Sequence, residues 1–178
     1  MFRPITPLVL SAFLASSALA QTAPESGAQL EAPMTSERVA EIALALDPEA
    51  RIAGNRLGLT ISDVPMIIIM DPFADRMRAM VPIRDASAMS AEELSRAMQA
   101  NFDTALDARY AIAQGRLWAV FIHPLSPLER DQLISGLGQT VNIALSYGTA
   151  YSGGALSFGG GDSGALLLKE LLERGQEL

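Results

Sequence analysis

The segment Gly160–Gly164 has the sequence Gly-Gly-Asp-Ser-Gly, the residue types of the loop that carries the nucleophile in serine proteases. Ser163 would be that nucleophile, and His123, the single histidine of the chain, would have to be its base. Nucleophilic catalysis needs the serine, a base and an orienting acid within hydrogen-bonding distance of one another. Because this serine stands where a last helix begins, we interpret Asp162 and Ser163 as N-capping residues after a flexible loop. The sequence therefore predicts a protein that is not an enzyme, with a hydrolase at this loop as an alternative.

The same loop has a second chemical interpretation, since three glycines before a helix N-terminus would offer free amide groups to an anion. It lacks the lysine of a phosphate-binding loop, because Lys169 lies too far along the chain. The carboxylate of Asp162 would also repel an anion. We therefore predict no cofactor here and keep the loop as a candidate contact with a protein partner. Its candidate residues are Gly159, Gly160, Gly161, Asp162 and Ser163.

Metal ligands are scarce in this sequence. The absence of cysteine excludes thiolate sites, and one histidine does not supply the ligand set of zinc or iron. Four methionines on two neighbouring predicted strands offer thioethers, which are ligands that Cu(I) prefers. We interpret them as core residues that fill gaps, so that the sequence predicts no metal site. They are Met66, Met70, Met77 and Met80.

Hydrophobic periodicity predicts the elements that would position these residues. Apolar residues three and four apart predict a first helix that ends before Pro48. Three strands follow, over about 51–61, 65–70 and 76–83, and an antiparallel meander is their simplest connection. The middle strand is continuously apolar and β-branched, which is typical of a strand covered on both faces.

A second helix and a hairpin come next. Ser90 and Glu93 form a capping box, in which the side chain of each residue bonds the amide group of the other, and this box begins the second helix. One strand over 105–113 and a return strand over 116–122 follow it. The two-residue turn Gln114-Gly115 joins these strands.

The third helix is predicted to begin at Ser126, which would cap it, with Glu129 completing a second capping box. Gly148 would end it in a left-handed conformation. Inside the helix, Gly136 and Gly138 each cost about 1 kcal/mol relative to alanine. They either let a strand or a second helix approach closely or are tolerated surface glycines, and the sequence does not distinguish these alternatives.

Together these elements predict an α+β fold, with a single antiparallel sheet of about five strands in the order α-βββ-α-ββ-α and an added C-terminal helix. We predict a signal peptide over 1–20, a flexible leader over 21–34, and one domain over 35–148. A Gly-rich loop and a terminal helix, over 149–178, complete the chain.

The N-terminus predicts export to the periplasm. Arg3 supplies a short positive region, and an apolar run over 8–15 follows it. Ala18 and Ala20 form an Ala-x-Ala site, which predicts cleavage after Ala20. The apolar run is too short to be a good spanning helix, and no other stretch approaches the length of a membrane span.

The net charge of −7 narrows the classes of partner. Nucleic-acid binding requires a basic stripe that contacts phosphates, and docking on anionic lipid requires basic residues as well. The sequence therefore predicts neither a nucleic-acid partner nor a membrane partner.

The predicted order of elements resembles the fold of type III secretion chaperones and that of a related family, the bacterial sensory transduction regulators. The residues that carry the likeness to the second family are a strand with an aromatic residue (Ala108–Ile112), a glycine turn (Gly115), a tryptophan strand (Leu117–Val120) and a serine-initiated helix with Leu133 and Leu137. The resemblance covers roughly Thr35 to Gly148 and implies a non-enzymatic binding module that is often dimeric. Secretion chaperones of this fold hold an extended, partly unfolded segment of a client.

Two aromatic residues of the hairpin are candidate partner contacts. Trp118 is predicted to lie in the core or half-buried on the sheet face. If it is exposed beside Tyr110, it would be a good anchor for a partner. The sequence thus predicts an exported module that binds an extended or helical polypeptide on the sheet face or at an edge. The alternative is a structural subunit that self-associates, through the terminal helix, into a homodimer or larger assembly.

Overall fold

A computed structural model describes residues 31–103, 106–148 and 162–175 of the protein, without the side chains of 103 and 162–168. The described helices are α1 (Ser36–Leu46), α2 (Ala91–Asp103), α3 (Arg130–Leu145) and α4 (Asp162–Gly175). The described strands are β1 (Arg51–Ala53), β2 (Arg56–Ile61), β3 (Val64–Asp71), β4 (Arg76–Asp85), β5 (Arg109–Ala113) and β6 (Arg116–Pro124). This order confirms the α+β fold with a single antiparallel sheet.

The sheet has the strand order β1-β2-β3-β4-β6-β5, and all neighbours are antiparallel. Its sixth strand arises because the predicted first strand folds back on itself as a hairpin. Gly54, with φ at +62°, makes this turn, and the residues on either side of it pair as β1 and β2. Glycine adopts a left-handed backbone conformation without steric cost, so Gly54 forms a turn within the segment that was predicted as one strand.

The core lies on one face of the sheet only. Along β2 the side chains of Leu57, Leu59 and Ile61 are buried, and their neighbours in sequence point to the other face. The same alternation runs through β3, β4 and β6. α1 and α3 cover this face with apolar side chains, and burial of each Leu or Ile contributes about 1.5–3 kcal/mol. No described helix or loop covers the opposite face.

The start of α2 confirms the predicted capping box. The Ser90 amide donates to Glu93 Oε2 at 2.8 Å, and the Glu93 amide donates to Ser90 Oγ at 3.1 Å. The hydrogen bonds from Ser90 lower the pKa of the Glu93 carboxyl, because they favour its charged form. Both partners are three residues apart, so the sequence alone could specify this contact.

The predicted N-cap of the third helix is wrong by three residues. Ser126 does not cap α3, because both of its polar groups bond a turn 51 residues away in sequence. The Ser126 amide donates to Asp75 Oδ1 at 2.7 Å, and the hydroxyl donates to Oδ2 at 2.9 Å. The N-cap is Glu129, whose amide donates to Gln132 Oε1 at 3.1 Å.

Both helix glycines prove to be close-approach sites, which decides between the two interpretations of the sequence. A Cβ atom on Gly136 would lie 2.5 Å from Cε1 of Phe121 on β6. A Cβ atom on Gly138 would lie 3.3 Å from Cδ1 of Leu171 on α4. One glycine therefore seats α3 on the sheet, and the other lets α4 pack on α3.

The domain begins earlier than the predicted boundary at residue 35. Met34 is buried, and its amide donates to the Ser126 carbonyl at 3.0 Å. The Arg130 amide, at the start of α3, donates to Glu31 Oε2 at 3.0 Å. The last four residues of the predicted leader thus belong to the domain. The predicted signal peptide, the rest of the predicted leader and the Gly-rich segment over 149–161 lie outside the described residues.

Candidate functional site

The uncovered side of the sheet carries an apolar patch, which we call the open face. Cross-strand register aligns Ile67 with Met80 and Met80 with Val120. The next row aligns Ile69, on β3, with Arg78 and then with Ile122. These side chains surround a shallow depression with a volume of about 480 Å³. The apolar part of the open face consists of Ile67, Ile69, Met80, Trp118, Val120 and Ile122.

The exposure of these residues overturns the prediction that the middle strand is covered on both faces. Burial alternates along β3, with Met66, Ile68 and Met70 buried beneath the helices. On the other side Ile67 is 38% exposed, and Ile122 on β6 is 53% exposed. Because contiguous apolar surface is uncommon on monomeric proteins, this patch is the first candidate for a binding site.

Arginines surround the apolar part of the open face. Alternation and register place six of them on this side of the sheet, and none has a carboxylate within 4.0 Å among the described residues. They are Arg51, Arg56, Arg76, Arg78, Arg109 and Arg116. Each of the other described basic residues has a carboxylate within that distance. In an acidic chain, the unpaired positive charges are therefore segregated onto one surface.

Arg84 is the one arginine of the described strands that lies on the side covered by helices, and it has a carboxylate partner there. A bulge between Pro82 and Arg84 reverses the facing of β4, so that Arg84 points toward the helices. There its guanidinium donates to Glu93 Oε1 at 3.1 Å and to the Tyr147 hydroxyl at 3.4 Å. The hydrogen bond with Tyr147 raises the pKa of this guanidinium above its ordinary value.

Two acidic residues stand at the ends of strands that border the open face, and both carboxylates bond nearby amide groups. Asp71 Oδ1 accepts from the amides of Phe73 and Ala74 at 3.1 and 3.0 Å. Asp85 Oδ1 accepts from the hydroxyl and the amide of Ser87, and these bonds lower the pKa of the carboxyl. The centre of the open face thus carries positive and apolar groups without a carboxylate.

Trp118 lies on the open face, as one of the sequence alternatives predicted. Its side chain is half-buried, and the indole Nε1 donates to the Ala113 carbonyl at 3.0 Å. Register places it between Pro82 on β4 and Ala111 on β5. The hydrogen bond fixes the ring on the sheet, so Trp118 is a preorganised apolar contact.

Tyr110 is a correction to the predicted pair of aromatic anchors. It pairs with Ala119, whereas Trp118 pairs with Ala111, so the two rings point to opposite faces of the sheet. The Tyr110 side chain is 5% exposed, and its hydroxyl donates to the Ile143 carbonyl of α3 at 2.6 Å. Burial raises the pKa of this phenol to about 12. Tyr110 is a core residue and offers no surface to a partner.

The outer edge of β5 is blocked by a side chain. The Asn101 amide group donates to the Tyr110 carbonyl at 3.0 Å, and its Oδ1 accepts from the Tyr110 amide at 2.7 Å. Asn101 therefore occupies both ladder positions that an added strand would use at this residue. Of the two predicted docking modes, this arrangement favours the sheet face over the β5 edge.

The residues considered for chemistry lie on separate elements of the described structure. His123 lies at the end of β6, where Nδ1 is 2.8 Å from the Pro124 carbonyl and the ring stacks on Phe121. Asp162 and Ser163 are the first two residues of α4, and their side chains are not described. Gly159, Gly160 and Gly161 fall outside the described residues, as does most of that candidate loop. No group of three or more His, Cys, Asp or Glu residues that could hold a metal occurs in the described ranges.

The methionines considered for copper divide between the two faces. Met66, Met70 and Met77 are buried in the core, whereas Met80 belongs to the open face. Three of them therefore fill core space, as the sequence interpretation proposed. Within the described ranges no helix combines the length and the apolar character that crossing a membrane requires.

Sequence reasoning missed the arginine cluster, although one signal was present. Arg76 and Arg78 alternate with buried residues along β4, which marks an outward face. Recognising the cluster also required knowing that β1, β2, β5 and β6 present their arginines to the same side, which follows only from the register. Comparison with known proteins does not identify the site: no protein-family model matches the chain, and no curated protein matches it.

Proposed function

We propose that this protein is an exported, non-enzymatic module that binds another polypeptide on its open face. The observation that carries the proposal is the uncovered apolar patch centred on Ile67, Met80 and Val120. A sheet normally buries an apolar face against a second layer, and here the described residues supply that layer on one side only. Binding a partner would remove the exposed part of this patch from water, which is favourable at about 25 cal/mol per Å².

The shape of the open face suits a polypeptide segment better than a small molecule. The depression is open and is lined by five strands, β2 to β6, whereas small-molecule sites are concave and enclose most of the ligand. Asn101 occupies the β5 edge at Tyr110, and the exposed apolar side chains lie on the face, so the partner is expected to lie across those side chains. The resemblance to secretion chaperones, which hold extended client segments, supports the same mode.

Export is part of this proposal and rests on the N-terminal pattern of Arg3, the apolar run over 8–15, and Ala18 and Ala20. The experiment is intact mass measurement of the protein recovered from the exported fraction of source cells. We expect a chain that begins at Gln21. A full-length chain retained inside the cell would contradict export, and it would leave binding on the open face as a separate question.

Site-specific photocrosslinking tests binding itself. A benzoylphenylalanine replaces Ile122, which is 53% exposed on the open face. The matched control carries the same photocrosslinker in place of Leu145, which is 60% exposed at the end of α3. Both proteins are irradiated in an extract of the compartment where the native protein occurs, and the adducts are mapped by mass spectrometry.

We expect a discrete polypeptide adduct from position 122 that is absent from position 145. Equal labelling at both positions, or no adduct at 122, would contradict a binding role for the open face. Self-association through the terminal helix stays a prediction, although Leu171 of that helix is buried against α3 of the same chain. An adduct between two copies of this chain would support self-association instead.

A further inference from the structure

We propose that the segment bound on the open face is acidic, with carboxylates that pair the six arginines and apolar side chains that cover the central patch. This inference rests on the proposed function and adds the chemical class of the partner. It derives from the segregation of charge: a chain with net charge −7 places all of its described unpaired basic residues on one surface. Asp71 and Asp85 lie opposite Arg76 and Arg116 in the register, and Asp107 and Asp131 line a depression beside Arg109. Six arginines therefore face four carboxylates at the margin, and the balance of the surface is positive.

The residue type suits the same partner, although arginine is the common basic residue of this chain and Lys169 is its single lysine. All six cations are arginines, and a guanidinium matches a carboxylate with two parallel hydrogen bonds, which lysine cannot provide. Arg109 already donates to the carbonyls of Leu106 and Ala108, so fewer N–H groups of its guanidinium are free to bind a partner. Arg56 and Arg78, by contrast, line the central depression without a protein carboxylate partner, and they are the strongest candidate contacts.

The register gives the dimensions of the expected partner. One row of side chains crosses the sheet from Arg51 on β1 through Ile67, Met80 and Val120 to Arg109 on β5. It spans five inter-strand spacings, or about 24 Å at about 4.8 Å each. An extended chain covers that distance with about seven residues. The partner is therefore a segment of about that length, apolar in the middle and acidic toward its ends.

In the neighbouring row of side chains, arginines and apolar residues are interleaved. Arg56, Ile69, Arg78 and Ile122 follow one another across the strands, so positive and apolar side chains alternate. A partner that presents both acidic and apolar side chains on the side turned toward the sheet would complement this row. Since like charges across an interface are unfavourable, a basic segment with the same apolar residues should bind more weakly.

Other occupants fit this surface less well. A second copy placed face to face would bring arginines against arginines, which disfavours a symmetric dimer through this face. Single-stranded nucleic acid binds on stacking platforms, and the open face offers one aromatic ring, Trp118, among aliphatic side chains. The segment over 149–161 contains no acidic residue, so it cannot supply the carboxylates.

The position of the single tryptophan makes the test direct. Trp118 lies on the open face, so its fluorescence reports occupation of that surface without a label. The probes are three peptides of about ten residues with a central run of valines flanked on both sides by glutamate, serine or lysine, a length that spans the charged row. Full-length mature protein is titrated with each peptide at about 0.05 M and about 0.5 M salt.

We expect the glutamate peptide to bind about tenfold more tightly than the serine peptide at low salt, because complementary charges are weakly screened there. The lysine peptide should bind most weakly, and the differences should shrink at high salt. Arg78→Gln should weaken the glutamate peptide about fivefold and the serine peptide by a smaller factor. Arg96→Gln removes the same charge from α2, where Arg96 pairs with Glu92, and serves as the control that changes neither.

The outcomes separate this inference from the proposed function. Equal binding of the glutamate and serine peptides would overturn the acidic partner and leave peptide binding intact. If no peptide changes the fluorescence, the segment crosslinked at Ile122 decides: a net negative segment supports the inference, and a neutral or basic segment overturns it. A response of Trp118 to oligothymidylate or to phosphatidylglycerol vesicles that depends on Arg78 would replace the polypeptide by a nucleic acid or a membrane. No peptide response together with no adduct would refute both proposals.

Discussion

Substitution of Gly136 by alanine tests how α3 is seated on the sheet. The added Cβ atom would lie 2.5 Å from Cε1 of Phe121, which is closer than non-bonded carbon atoms can approach. Phe121 is 4% exposed, and its ring stacks on His123, so the ring has little free space to move into. Overpacking of this kind costs about 1–3 kcal/mol. Alanine also favours the helix by about 1 kcal/mol, so the net destabilisation should be about 0–2 kcal/mol.

Gly138→Ala is the matched control, because it gains the same helix propensity in the same helix. Its Cβ atom would meet Cδ1 of Leu171 at 3.3 Å, and the end of a flexible side chain can yield by a few tenths of an ångström. This variant should therefore be neutral or up to about 1 kcal/mol more stable than the wild type. The difference between the two variants cancels the propensity and isolates the Phe121 contact, at about 1–3 kcal/mol.

The assay is urea unfolding followed by far-ultraviolet circular dichroism, with thermal midpoints as a second measure. About 2 kcal/mol corresponds to about 4–8 °C for a domain of this size. The double variant Gly136→Ala with Phe121→Leu removes the ring and should show a favourable coupling energy of about 1 kcal/mol. Equal stability of the Gly136 and Gly138 variants, or strict additivity in the double variant, would refute the proposed contact.

Three further substitutions test the contacts that link distant parts of the chain. Tyr110→Phe should cost about 1–2 kcal/mol, because the Ile143 carbonyl loses its hydroxyl partner. In the wild type the pKa of Tyr110 is raised, so its stabilising effect is complete below about pH 10 and declines as the pH rises toward 12. Difference absorbance of the phenol can follow this titration. In Asp75→Asn, asparagine tolerates the φ of +50° at this position, but the charged acceptor of Ser126 is lost. The hydrogen bonds from Ser126 lower the pKa of Asp75, so their stabilisation is present above the unfolded pKa and declines as the pH falls through the folded value. The thermal midpoint of the variant should therefore lie below that of the wild type at neutral pH and converge with it in acid. Asn101→Ala should cost about 1–3 kcal/mol and expose the β5 edge, so light scattering should detect new association, and a monodisperse, equally stable variant would contradict the edge-blocking role.

The sequence by itself determined the features that local interactions decide. The capping box of Ser90 and Glu93 joins residues three apart, and the turn at Gln114-Gly115, with φ of +53° and +71°, joins adjacent strands. The order of helices and strands follows from periods of 3.6 and 2 residues, which each element expresses in its own residues. These predictions are confirmed, because no distant group competes for the hydrogen bonds of the same atoms.

Predictions failed where a distant partner was decisive. Ser126 had the residue type of a helix cap, but Asp75, on a turn far away in sequence, bonds both of its polar groups. Gly54 lies within the first predicted strand, and pairing of the residues on either side of it makes it a turn. In each case the sequence contained the residue, and the tertiary structure supplied the competing bond.

The candidate site depends almost entirely on tertiary packing, which the sequence alone did not predict. Alternation along β4 shows that Arg78 and Met77 face opposite ways, but it does not say which side the helices cover. That choice depends on where α1 and α3 pack, and it leaves the apolar side chains of Ile67 and Ile122 uncovered. The sequence determined the alternating strands, and the packing of the helices determined which alternate residues form the core and which form a surface for a partner. The physical reason is that burial is a property of two packed layers, and a single strand specifies only its own two faces.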